Sequence, residues 1–71
     1  MMTLGERLRV AREAKHWTQN KLSKASGIPS NSISQYENDK VDPSFFAATC
    51  LSDALCVSLD WLAGFKDDME V

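Results

Sequence analysis

The sequence predicts an all-α fold, a small domain of five helices. Three observations carry this expectation. No stretch shows the sustained apolar–polar alternation, rich in β-branched residues, that a strand requires. Apolar residues recur instead at three- and four-residue spacing, the period of one helix face. Gly5, Gly27, Pro29, Pro43 and Gly64 cut the chain at only a few places, most of them beside small hydroxyl residues suited to capping.

The first helix is expected from about Leu4 to Lys15. Thr3 and Glu6 form a capping box, in which each satisfies an otherwise unpaired backbone N–H. Leu4, Leu8, Ala11 and Trp17 lie near one face, and Arg7, Arg9 and Glu13 are expected to meet water. The second helix is expected from about Gln19 to Ser26 with Thr18 as cap, Leu22 and Ala25 pointing inward and Lys21 and Lys24 outward. Gly27 stops it, because the position after a helix favours left-handed dihedrals that cost glycine little.

The third helix is expected to begin near Pro29 or Ser30 and to end near Asn38, since proline is tolerated in a first turn. The fourth is capped by Ser44 and runs to about Leu55, with Phe45, Ala48, Leu51 and Leu55 on its inner face. The fifth is short, capped by Ser58 and ended near Gly64, with Leu59 and Leu62 inward. The ordered part is expected over about residues 3–65, and the polar tail 66–71 is expected to fray.

Seventy-one residues suit one domain, whose core is small. No apolar run approaches the roughly 20 residues that would span a bilayer. The N-terminal MMTLGERLRV lacks the apolar block of a signal peptide, so a cytoplasmic location is expected. Cys50 and Cys56 read as ordinary free thiols; with His16 far away in sequence, they do not match metal-ligand spacing, and neither a metal nor a cofactor is expected. No nucleophile–base constellation or glycine-rich phosphate loop occurs, which argues against an enzyme.

The net charge of −2 conceals an asymmetry. Residues 1–41 hold seven Lys and Arg against four Asp and Glu, a net +3, whereas residues 42–71 hold one against six, a net −5. A basic half of this kind is compatible with a polyanionic partner.

The segment SGIPSNSISQYEN, Ser26 to Asn38, sharpens that possibility. At about 100° per residue, Ser30, Ser34, Asn31 and Gln35 fall within an arc of about 140°. Ile33, Tyr36 and Glu37 fall outside it, and Ile33 and Tyr36 anchor the helix in the core. The arc holds hydroxyls and amides but no charge. Solvated helix faces usually carry Lys and Glu, which favour helix more than Ser and Asn do. Amides and hydroxyls do suit base edges: Asn or Gln pairs with adenine N6 and N7, and Ser with either kind of base pair.

The run TQNKLSKASGIPSNSISQYENDK, Thr18 to Lys40, resembles the helix-turn-helix of lambdoid phage repressors and Cro proteins, the XRE-like regulators. The shared features are Thr18-Gln19, Ala25, Gly27, Ile33, Glu37 and Asn38–Lys40. LGERLRVAREAK resembles the first helix of that family and VSLDWL its last, so the likeness covers about Leu4 to Leu62. It implies a lambda-repressor-like domain in which Ser30, Asn31, Ser34 and Gln35 face the bases of duplex DNA. It implies phosphate contacts from Gln19, Asn38 and Lys40, and a buried ion pair between Arg12 and Glu37. A homodimer paired near the fifth helix is implied as well, with Trp61 and Phe65 as interface residues. His16 and Cys56 stand where the family usually has glycine, and Pro29 replaces a Ser or Thr cap. Asp42 stands where relatives place basic residues that reach the minor groove, which argues against that contact here.

The expectation is therefore a sequence-specific DNA-binding regulator of transcription, of the repressor kind. The rival from another class is a protein-interaction adaptor of the same fold, antitoxin-like or repressor-binding, whose acidic half and aromatic residues Phe46, Trp61 and Phe65 hold a protein partner. Salt separates the two, because a protein that neutralises phosphates loses affinity steeply as salt rises.

Overall fold

A computed structural model describes residues 1–70. These residues form five helices and no strand: α1 (Leu4–Ala14), α2 (Gln19–Ser26), α3 (Ser30–Glu37), α4 (Phe45–Leu55) and α5 (Leu59–Ala63). Each helix start follows from its cap. The Thr3 hydroxyl accepts from the Glu6 N–H while the Glu6 carboxylate accepts from the Thr3 N–H, completing the capping box. Thr18, Ser44 and Ser58 accept from the N–H three residues on, and each such cap contributes roughly 1 kcal/mol. Pro29 gives α3 no side-chain cap.

The turns need unusual dihedrals. Gly27 ends α2 at φ 80° and Gly64 ends α5 at φ 92°, both left-handed. His16 and Cys56 adopt φ 58° without being glycine, and so does Asp39, which the sequence did not single out.

Leu8, Leu22, Ile33, Leu51 and Leu62 are fully buried at the centre. Each such side chain contributes roughly 1.5–3 kcal/mol through removal of apolar surface from water. They join α1, α2, α3, α4 and α5 in one cluster, with Trp17, Tyr36 and Met69 packed around it. α1 passes close to the C-terminal end of α3, where a Cβ on Gly5 would stand 2.8 Å from the Glu37 carbonyl oxygen and closer still to that of Tyr36.

Four expectations need correction. Arg7 is buried: its guanidinium lies 5.2 Å from the centre of the Trp61 ring, and its Nη1 donates to the Trp61 carbonyl at 3.1 Å. Ala25 is exposed, because Leu22 and Ile28 already close the core beside α2. Phe45 is 78% exposed and Ala47 takes the inward position. On a helix, Phe45 stands about 120° from Leu51, and Ala47 only about 40°. Within the tail, Met69 packs against the core and its carbonyl accepts the Ser58 N–H at 2.8 Å, so the described part, 66–70, does not simply fray; Val71 lies outside the described residues.

Candidate nucleic-acid interface

α2 and α3 are joined by Gly27, Ile28 and Pro29, with Ile28 buried beneath the turn and its N–H donating to the Ser26 hydroxyl at 3.1 Å. On α3, Ile33 is fully buried and Tyr36 packs against the core. The other side points out: Asn31 and Gln35 are exposed, and Ser30 and Ser34 are half-buried. Ser30, Asn31 and Ser34 line an open groove of about 540 Å³, whose other wall is Arg12, Thr18, Gln19 and Asn20. Gln35 lies one turn beyond Asn31 on the same side, outside that groove.

A charge cluster behind the groove holds the two helices and α1 together. Glu37, at the last position of α3, is buried. Its Oε2 accepts from Arg12 Nε at 2.7 Å, and its Oε1 accepts from Arg12 Nη2 at 2.9 Å, Gln19 Nε2 at 3.1 Å and Arg9 Nε at 3.4 Å. Arg12 Nη1 donates to the Trp17 carbonyl at 2.8 Å, so all three guanidinium nitrogens are used. The ion pair implied by the resemblance is present and bidentate. Burial pushes the Glu37 carboxyl up, but hydrogen bonds from Arg12, Gln19 and Arg9 and the Arg12 charge outweigh it and hold the group below its ordinary value. The same hydrogen bond to Glu37 raises Arg12, against the opposing effect of burial.

The remaining expected residues fall out as follows. Gln19 stands at the start of α2, on the groove, with its amide nitrogen held by Glu37. Asn38 is exposed but engaged within the chain: Nδ2 donates to the Ser34 carbonyl at 2.9 Å, and Oδ1 accepts from Arg9 Nη2 at 3.3 Å. Lys40 is exposed. Phe65 is 84% exposed, whereas Trp61 is only 3% exposed, stacked on Arg7 within the core. Trp61 is therefore removed from the expected interface, because its surface is already covered by its own chain.

Three residues of this region escaped the sequence reading. Asp39 accepts from the Thr3 hydroxyl at 2.8 Å and the Gly5 N–H at 3.2 Å, which ties the start of α1 to the end of α3. Its signal lies in a contact 36 residues back along the chain, which spacing does not reveal. Arg9 joins the Glu37 cluster one helical turn from Arg12. Asn20 offers an exposed amide to the groove. Among the described residues, no three His, Cys, Asp or Glu side chains gather to hold a metal ion, and no helix is long and apolar enough to cross a membrane.

Two helices joined by a tight left-handed turn, the second braced from behind and bare in front, define a helix-turn-helix domain. A helix-turn-helix family model matches residues 8–62, and the chain belongs to that family. It is similar to the HTH-type transcriptional regulator ImmR of Bacillus subtilis (strain 168), with 38% identity over 68 residues, 96% of this chain and 53% of that protein. The chain thus spans about half the length of that relative. Its fold is similar to the P22 c2 repressor, solved in complex with a synthetic operator, with TM-score 0.86 and 32% identity over 93% of this chain and 100% of that one. It is also similar to the N-terminal DNA-binding domain of SinR from Bacillus subtilis, with TM-score 0.80 and 25% identity over 83% of this chain and 87% of that one.

Proposed function

We propose that the chain is a sequence-specific, double-stranded-DNA-binding regulator of transcription, of the repressor kind, that lays α3 in the major groove. The observation that carries this reading is the outward side of α3: Asn31 and Gln35 stand exposed and uncharged while Ile33 and Glu37 lock the opposite side. In this reading Ser30, Asn31, Ser34 and Gln35 meet base edges, where amides and hydroxyls discriminate. Lys40 contacts phosphate through its ammonium, Gln19 through the amide N–H that Glu37 does not use, and Asn38 by giving up its longer contact, 3.5 Å to the Ser34 hydroxyl. Similarity to an HTH-type transcriptional regulator and to a repressor solved on a synthetic operator supports the same activity. Binding, not catalysis, is that activity, and it takes place in the cytoplasm.

The domain works as a homodimer, since a two-fold pair presents two recognition helices to half-sites one helical turn apart. Phe65, Phe45 and Phe46 are each largely exposed, which suits a protein contact of this kind, and an adaptor would use exposed apolar side chains in the same way on another protein.

Selection of bound sites from a random duplex pool, followed by affinity measurement on single-base variants of the winner, tests the reading. Gln35→Ala should relax preference at one position by about 1–3 kcal/mol, whereas Lys40→Ala should weaken all sequences alike. Equal loss on every duplex for Gln35→Ala would remove it from the base-reading set. A protein that selects nothing would favour the adaptor.

A further inference from the structure

Lys15, Lys21 and Lys24 are exposed at and beyond the corner between α1 and α2, and none forms an ion pair among the described residues. Two of them share one aromatic ring: Lys15 Nζ lies 5.2 Å, and Lys21 Nζ 5.8 Å, from the centre of the Trp17 indole. Attraction to the ring holds each ammonium group beside the indole. Trp17 is itself fastened, packed on the core and with its carbonyl held by Arg12 at 2.8 Å. The corner therefore presents two unpaired cations on a rigid base.

Its position matters as much as its charge. Thr18, Gln19 and Asn20 follow Trp17 directly and line the groove opposite Ser30 and Asn31. On α2, Asn20, Lys24 and Lys21 fall within about 100° of one another, so the exposed side of α2 runs from the groove to the lysines. The loop after α3 contrasts with this. There Lys40 lies between Asp39 and Asp42, so the loop carries no net positive charge.

We propose that the Trp17 corner, through Lys15 and Lys21, is the main phosphate-binding surface of the chain, and that Asn20 and Lys24 extend it along the DNA backbone flanking the bases that α3 faces. The partner is duplex DNA, because the first helix of a helix-turn-helix crosses the backbone when the second occupies the major groove. The proposal rests on the duplex-binding reading above and adds where its electrostatic anchor lies.

The test compares the salt dependence of binding for the unaltered chain and for the double variant Lys15→Gln/Lys21→Gln, on a selected duplex and on its single-base variants, over a KCl series. Removing one lysine–phosphate pairing lowers the slope of log K against log salt by roughly 0.9, so the double variant should show a slope shallower by about 2. The rank order of the duplexes should not change. Lys66→Gln, which removes a charge in the tail, should leave the slope unaltered. If the unaltered chain shows a steep slope that the double variant retains, the corner is not the anchor, though the DNA-binding reading stands. An equal drop per charge in Lys66→Gln also overturns the proposal, by reducing it to net charge. A flat slope for the unaltered chain would overturn the DNA-binding reading and this proposal with it.

Discussion

α3 is held to α1 and α2 by a charge and hydrogen-bond cluster added to the burial of Ile33, whereas α4 and α5 are held mainly by apolar burial and caps, with Arg7 of α1 set against Trp61. Behind α3, one carboxylate receives two arginines and a glutamine, and Asp39 ties the end of the helix to Thr3 and Gly5. In the other half, Leu51, Leu55, Val57 and Leu62 are buried, and Ser44 and Ser58 cap the two helices. Apolar contacts tolerate small slips, but a bidentate pair fixes distance and angle together. The difference teaches that orientation is controlled where α3 exposes Asn31 and Gln35, and that burial and caps suffice to hold α4 and α5 in place.

The largest expected effect breaks the comparison at its centre. Glu37→Ala strands Arg12 and should cost about 3–5 kcal/mol, a large share of the stability expected of so small a domain. Leu51→Ala should cost a similar amount, about 2–5 kcal/mol, by leaving a cavity. pH separates them. The Glu37 carboxyl lies below its ordinary value of 4.5 in the folded chain, so its contribution is complete above that pH and is lost as pH falls through the folded value. Urea unfolding across acidic pH should show the gap between Glu37→Ala and the unaltered chain closing, while the Leu51→Ala gap stays level. A Glu37→Ala deficit independent of pH would assign the cluster to packing.

A second substitution probes how closely the polar half is fitted. Gly5→Ala drives a methyl into the carbonyl oxygens of Tyr36 and Glu37, both backbone and unable to rotate away. It should cost about 1–3 kcal/mol by overpacking. It should also weaken DNA binding beyond the loss of folded protein, because α1 moves against the end of α3. A thermal melt and a binding titration on the same preparation check both, and affinity unchanged at full folding would show that α3 does not need α1 to place it.

The two halves were also unequally legible. Caps and stops are local, so Thr3, Thr18, Ser44, Ser58 and Gly27 could be read directly from the sequence, and all five act as expected. The outward side of α3 was legible because Ser, Asn and Gln at helical spacing contradict helix propensity. Arg7 was not, since an arginine on a helix normally reaches water and its partner, Trp61, lies 54 residues on. The same contact hid the burial of Trp61. Phe45 misled because hydrophobicity alone suggested an inner face, while the phase set by Leu51 and Leu55 gave that place to Ala47.

The smallest expected effect sets one residue from each half at the same backbone angle. Asp39 and Cys56 both have φ 58°, where an L side chain is strained by roughly 1–2 kcal/mol. Cys56, exposed at the end of α4, makes no side-chain hydrogen bond among the described residues. Cys56→Gly therefore removes strain and should stabilise by about 0.5–1 kcal/mol, after the greater freedom of glycine in the unfolded chain is subtracted. Asp39→Gly removes the same strain but also removes the acceptor for Thr3 and Gly5, so it should destabilise by about 1 kcal/mol. Opposite signs at one dihedral would show that the polar half uses its strained residue as a tie. Parallel shifts in the two melting temperatures would mean that the Asp39 contacts add little, and that the backbone near α3 is set by Glu37 alone.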